Sequence, residues 1–249
     1  MKTCTLLTTT LLLWLALATT LSAQDGSAVL ARIDSVLNAP RDLTALEKMV
    51  LIDKSGKQKV REVKIYQKGS ERRLVRFLAP ADVRGVGFLR LAEDRLYLYL
   101  PAFRKVRRIA SSVKNESFMG TDFSYEDLSR SQYGDDFAVQ GVEEQNGQLV
   151  LNLVPKAGAD VSYGRVKLWV DRTNYVVRKA ELYSKSGKLE KVLRVDEVEL
   201  IDGYWIGKRM EMETVKDNHR TVLTLKEVAF DQGLSDALFT QRNLKRVKR

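Results

Sequence analysis

Leu96-Tyr97-Leu98-Tyr99-Leu100 alternates strictly between an aliphatic and an aromatic side chain. Successive side chains of an extended strand point to opposite faces, so this period of two puts three leucines on one face and two phenols on the other. The same period runs outward from this stretch. Toward the N-terminus it recurs at Val75 and Phe77, at Val63 and Ile65, and back to Leu43. Toward the C-terminus it predicts strands over residues 148–155, 164–171, 175–184, 189–200, 204–214 and 221–229. Turn chemistry separates them at short intervals: Lys54-Ser55-Gly56-Lys57, Lys68-Gly69-Ser70, Asn146-Gly147, Lys185-Ser186-Gly187 and Asp202-Gly203. About eleven antiparallel strands result, a mainly β fold with helices (α+β) whose sheet is large and curved or an open barrel.

Two segments leave this pattern. Val29, Leu30, Ile33, Val36 and Leu37 recur at helical spacing before Asn38-Ala39-Pro40, which predicts a short amphipathic helix. Residues 110–136 show no sustained alternation but carry Phe118, Met119, Phe123, Tyr125 and Tyr133. A poorly patterned core helix would suit this composition. An irregular, partly helical insertion suits it better, because a long unpatterned loop within one domain is usually functional.

The N-terminus reads as a secretory leader. Lys2 precedes an apolar and threonine-rich run from Leu6 to Leu21, and Ala23 supplies the small residue before a cleavage point. The threonine clusters shorten the purely apolar core below the ~20 residues a membrane span needs. Cleavage after Ala23 is expected, and Gln24 rather than Cys follows, so no lipid anchor is implied. Cys4 is the chain's single cysteine and lies within the leader, so the exported part has no disulfide or thiolate chemistry. It would fold as a single domain over residues 24–249, in the periplasm of a bacterial-type envelope.

The formal charge is +10. Export argues against nucleic acid and leaves anionic lipid headgroups or acidic polymers as partners, or simply solubility. The charge is also segregated: residues 54–114 carry 17 Lys/Arg against 5 Asp/Glu, and residues 115–144 carry 8 Asp/Glu against one Arg. An acidic insertion held to a basic strand block by weak exposed pairs would make a lid that salt loosens.

Catalytic constellations are scarce. His219 is the single histidine, in the turn-like Lys216-Asp217-Asn218-His219-Arg220, and reads as a surface residue. Ser111-x-x-Lys114 has none of its companion motifs, and Gly85-Val86-Gly87 lacks the third glycine and the βαβ context of a dinucleotide site. The adjacent carboxylates Glu126-Asp127 and Asp135-Asp136 point apart and make no acid/base pair. No enzyme, metal or cofactor is expected.

Arg76-Phe77-Leu78-Ala79-Pro80, Val86-Gly87-Phe88-Leu89, Leu96 to Pro101, Arg107-Arg108-Ile109 and above all Phe118-Met119-Gly120-Thr121-Asp122-Phe123-Ser124-Tyr125-Glu126-Asp127-Leu128 resemble the outer-membrane lipoprotein-sorting family related to LolA. The branch is the one associated with resistance-nodulation-division (RND) exporters. The resemblance implies an unclosed β half-barrel, apolar inside and covered by helices. It also implies a carrier of lipid or of lipoprotein acyl chains, with an inner-membrane transporter partner and transient membrane contact. A sensor of lipid or misfolded protein, similar to RseB, is the alternative, and an envelope hydrolase using Ser111 or the carboxylates is a distant one. Alternation and the insertion's composition nominate the ligand-binding residues: Leu96, Leu98 and Leu100 on one strand face, with Phe88, Phe118, Met119 and Phe123. Tyr97 and Tyr99 then face water. Three leucines in register face either a filled core or a cavity, and the cavity is the reading adopted.

Overall fold

In the computed structural model, which describes residues 23–92 and 95–246, the alternation becomes one antiparallel sheet of thirteen strands among the described residues. The first six are β1 (Asp42–Ile52), β2 (Gln58–Lys68), β3 (Arg72–Ala79), β4 (Gly87–Leu91), β5 (Arg95–Leu100) and β6 (Lys105–Arg108). The remaining seven are β7 (Phe137–Gln145), β8 (Gln148–Pro155), β9 (Tyr163–Asp171), β10 (Val177–Ser184), β11 (Leu189–Ile201), β12 (Tyr204–Thr214) and β13 (His219–Phe230). Helix α1 (Ala23–Leu37) precedes them, α2 (Tyr125–Ser129) lies between β6 and β7, and α3 (Gln241–Leu244) follows β13. The expected leader lies outside the described residues apart from Ala23, which opens α1.

The chain begins in the middle of its own sheet. β1 pairs with β2 on one side and with β13 on the other. From β1 a meander walks out to the β6 edge, residues 109–136 cross to the opposite edge, and β7 to β13 walk back until β13 closes against β1. The edges β6 and β7 do not pair with each other, which leaves the half-barrel unclosed. The sheet has two strands more than the pattern predicts. β6, Lys105-Val106-Arg107-Arg108, is too short and too basic to show an alternation, and its charge blunts an open edge against pairing with another chain.

Local chemistry fixes the hairpins. Asn146 and Gly147 have φ of 52° and 76°, and Asp202 and Gly203 have 50° and 85°. Both pairs are two-residue turns with left-handed backbone at each central position, whose twist matches that of the strands they join.

The faces follow the alternation. On the inner face, Leu96 and Leu98 pack with Val63, Val75, Phe77 and Phe88. On the outer face, Leu74, Leu89 and Tyr99 form a separate cluster with Phe239 and Leu244. Tyr99 therefore does not meet water as expected. The segment after β13 folds back over this end of the sheet, and a Cβ at Gly87 would lie 2.6 Å from Leu244 Cδ1, so the glycine permits the close approach of α3.

Residues 109–136 cross the inner face and fill it at the β2–β5 end. The Phe118 ring lies 5.6 Å from Phe77, 5.7 Å from Phe88 and 5.7 Å from Tyr125. Each such aromatic pair adds roughly 0.5–1.5 kcal/mol beyond its buried area. At the other end Leu30 and Ile33 of α1 pack with Phe137, Leu151, Leu153, Val166 and Leu168. Asp34 of α1 accepts the backbone N–H of Tyr133 at 2.7 Å and of Gly134 at 2.8 Å, tying the helix to the end of the crossover.

Candidate ligand cavity

Between the two packed ends the inner face is not filled. A cavity of about 350 Å³ remains, within the size range of small-molecule sites. Its floor is the middle of the sheet: Leu43, Ala45 and Glu47 of β1, Ile65 and Gln67 of β2, Arg73 and Val75 of β3, and apolar side chains of β10 to β13 such as Leu182, Leu193, Met210, Met212 and Leu223. The crossover supplies the facing wall through Phe123, Asp127, Leu128, Arg130, Ser131 and Tyr133. Leu37 and Trp205 line the cavity while 44% and 41% exposed, so its apolar lining runs out to the surface there.

The polar groups on the wall are held in two different ways. Ser124 caps α2 in a capping box: its Oγ accepts from Asp127 N at 3.1 Å, and Asp127 Oδ2 accepts from Ser124 N at 2.8 Å. Asp127 also accepts Lys191 Nζ at 2.7 Å and the Tyr163 hydroxyl at 2.9 Å. Burial alone would raise the Asp127 pKa, but Lys191 and the Ser124 bonds outweigh it and hold the carboxyl below its ordinary value. Tyr163 is pushed up by burial and by the neighbouring Asp127 charge. Glu126, beside it in sequence, accepts Arg130 Nη2 at 2.7 Å and Ser162 N at 3.0 Å.

Glu47 has no such partners. Its Oε2 is sealed from solvent and makes no hydrogen bond among the described residues. Burial pushes its carboxyl up to about 7, with nearby Arg73 pulling weakly the other way. Arg73 is committed elsewhere: Nε and Nη2 donate to Gln67 Oε1 at 3.1 and 2.7 Å, and Nη1 donates to Leu128 O at 3.0 Å. Burial, with repulsion from Arg90, lowers the Arg73 pKa to about 10.

At Asp127 the contact differs from the charge pairing expected of the acidic insertion. Its partner for Asp127 is Lys191, outside the basic block of residues 54–114, and the pair is buried. Two arginines of that block, Arg61 and Arg73, donate instead to the backbone carbonyls of Met119 and Leu128. A carbonyl is the better partner here because a guanidinium fork can bond it without a second buried charge. His219 also departs from the surface reading. It opens β13, and its Nδ1 lies 2.7 Å from Asp122 Oδ2. Asp122, itself buried, accepts the hydroxyls of Thr214 and Thr221 as well, so it pins the crossover to the β12–β13 hairpin. Ser111 is exposed at the start of a short 3₁₀ turn, and Lys114 pairs with Asp160 at 3.5 Å. Among the described residues no cluster of His, Cys, Asp and Glu is placed to hold a metal ion.

Of the seven residues nominated by the sequence, the structure places Phe123 on the cavity wall. Phe88, Leu96, Leu98 and Phe118 are buried in the packed cluster beside the cavity, and Leu100 and Met119 pack against its margin. All seven therefore belong to the inner face or the crossover above it, but six sit where the crossover has already filled the space. Sequence reading missed Glu47, Arg73 and the β10–β13 floor.

The molecule is thus a broad antiparallel half-barrel whose inner face holds a largely apolar cavity under a crossing segment. A family model described as an uncharacterized protein matches residues 69–246. A crystal structure of a DUF1329 family protein from Desulfovibrio piger is 31% identical, covering 89% of this chain and 98% of that one with a TM-score of 0.83. A structure described as an outer membrane lipoprotein-sorting protein domain from Vibrio parahaemolyticus is 28% identical over 90% of this chain and 100% of its own, with a TM-score of 0.81. A LolA superfamily protein from Nitrosomonas europaea, 22% identical, shares the fold over 87% of this chain and 98% of its own, with a TM-score of 0.73. Comparison with curated protein sequences finds no significant match. The chain belongs to the DUF1329 family of LolA-like half-barrel proteins.

Proposed function

We propose that this protein is a periplasmic carrier that shields the acyl chains of a lipid or lipoprotein while they move between membranes, in partnership with an inner-membrane exporter of the RND type. The observation that carries the reading is the apolar cavity with its exposed rim of Leu37 and Trp205. Each methylene taken from water is worth ~0.8 kcal/mol, so an acyl chain crosses an aqueous gap only if something covers it. The half-barrel's inner face supplies the cover. Export through a leader cleaved after Ala23 accords with this, and among the described residues no helix is long and apolar enough to cross a membrane.

The six inner-face residues outside the present cavity belong to the same proposal. Lifting the crossover would uncover Phe88, Leu96, Leu98 and Leu100 from beneath Phe118 and Met119, and join them to the space that Phe123 already lines. A long chain would need that room. Transient contact with a membrane fits the β5–β6 tip. Phe103 there is 61% exposed, and Arg104, Lys105, Arg107 and Arg108 around it are all exposed, a pairing of aromatic and basic groups suited to an anionic lipid surface.

Organic extraction of protein purified from the periplasm, followed by mass spectrometry, tests the carrier reading. Acyl-bearing species at near-stoichiometric amounts are expected. A lipid-free protein that also fails to bind an apolar fluorescent probe would remove the basis of the proposal.

A further inference from the structure

Leu43, Ala45, Glu47 and Met49 form one inward row on β1, and Glu47 alone in it is polar. Its unpaired Oε2 is a strong acceptor on a residue that lines the cavity, and an acceptor left in that position calls for a donor. The other charged groups lining the cavity do not supply one. Arg73 is spent on Gln67 and Leu128, Arg130 bonds Glu126 through Nη2, and Asp127 is itself an acceptor satisfied by Lys191, Tyr163 and Ser124; Arg130 Nη1 and Ser131 Oγ make no hydrogen bond among the described residues either, and neither bonds Glu47. No side chain of the lining hydrogen-bonds Glu47 Oε2, which leaves that place to an occupant of the cavity.

Resting on the carrier reading above, we infer that Glu47 selects the cavity's ligand: it accepts a hydrogen bond from an O–H or N–H group placed at the end of, or along, a hydrocarbon chain. The ligand class is a neutral or cationic long-chain amphiphile, such as an alcohol, hydroxylated acyl chain, amide or amine. A chain ending in a carboxylate is disfavoured, because at alkaline pH it would bring a second negative charge beside Glu47 in a poorly solvated space. The raised Glu47 pKa agrees with this placement, since it reports the same absence of donors. The exposed basic residues Arg104, Lys105, Arg107 and Arg108 are not among the cavity's lining residues, so attraction to anionic surfaces and selection within the cavity occupy separate places.

The test is competitive displacement of an apolar hydrocarbon fluorophore from the exported protein at pH 8 by three probes of equal chain length: 1-dodecanol, dodecylamine and dodecanoate. Wild-type protein should be emptied by dodecanol and dodecylamine at roughly tenfold lower concentration than by dodecanoate, the scale of one hydrogen bond to a charged group. In Glu47→Leu the preference for dodecanol should vanish while the fluorophore still binds, and Glu47→Gln, which keeps the side-chain shape, should lie between. Equal displacement by all three probes in the wild type, or a preference that survives in both variants, would overturn the assignment of Glu47. Failure of the fluorophore to bind the wild type at all would instead overturn the carrier reading, and this inference with it.

Discussion

Asp127 and Glu47 reach the same cavity from opposite walls, one from the crossover and one from β1, and the protein treats these two carboxylates in opposite ways. Asp127 is surrounded by donors that hold it ionised. Glu47 is left with a sealed oxygen and no donor, and its carboxyl is pushed up toward neutrality. The first ties the crossover to the sheet. The second adds no hydrogen bond to the fold through that oxygen, so the two acids contrast one that the fold holds with one that it leaves beside the cavity.

Breaking the Asp127 clamp should give the largest effect. Lys191→Met removes the cation at 2.7 Å and leaves a buried carboxylate with less compensation than it needs. A loss of about 3–5 kcal/mol is expected, which for a domain of this size lowers the melting temperature by roughly 10 °C. Glu47→Met on the opposite wall should be neutral or stabilising, because there is no bond to lose. Equal destabilisation by the two variants, read by thermal melting, would abolish the distinction between the carboxylates.

The pH dependence of stability sharpens the contrast. Asp127 has a depressed pKa, so its contribution is complete above the ordinary carboxylate range and is lost only as pH falls toward acid. Glu47 has a raised pKa, from 4.5 to about 7, so the stability linked to its proton is fully present below about 4.5 and is lost as pH rises through about 7. The linked loss amounts to roughly 3 kcal/mol at most. Denaturant titrations at pH 4.5 and pH 8 should show Glu47→Gln gaining on the wild type by up to that amount between the two, while Lys191→Met shows no comparable trend above pH 5. A wild-type and Glu47→Gln difference that stays constant with pH would mean that Glu47 is ordinarily ionised in the folded protein.

Much of this fold is written locally, and the site is not. Period-two alternation locates β8 and β12 to the residue and the other strands of the second half within a few positions, because side-chain direction in a strand is a local property. Alternation also assigns Leu96, Leu98 and Leu100 correctly to one face with Phe88. What covers that face is decided by residues 109–136 crossing the whole sheet, and no local signal tells whether Phe118 will fill the space or leave it open. The same long connection explains His219, whose partner Asp122 is 97 positions away. Glu47 had a legible signal: in Leu43, Ala45, Glu47, Met49 and Leu51 an acid stands at an inward position. An inward acid in an apolar row is a more specific mark of a site than the leucines around it.

The smallest expected effect concerns salt. Opposite charge on the basic block and the acidic crossover suggests a lid that high salt loosens, since screening weakens exposed pairs beyond ~10 Å at ordinary ionic strength. The pairs that hold α2 are of another kind. Lys191 and Asp127 are 13% and 6% exposed at their side chains, and Arg130 and Glu126 are 10% and 6% exposed, so mobile ions do not come between them. Lys114–Asp160 differs, with Asp160 71% exposed. Raising sodium chloride from 50 mM to 1 M should therefore leave amide exchange across residues 124–130 unchanged, and speed it only near Lys114 and Asp160. On the carrier proposal, the crossover would be released by a competing contact, such as a partner's donors and acceptors replacing those of Lys191 and Asp127, rather than by ionic conditions. Exchange across residues 124–130 that accelerates with salt would show that the Asp127 clamp opens to solvent in the resting protein. Asp127 would then be no more secure than an exposed acid, and its contrast with Glu47 would be one of partners alone.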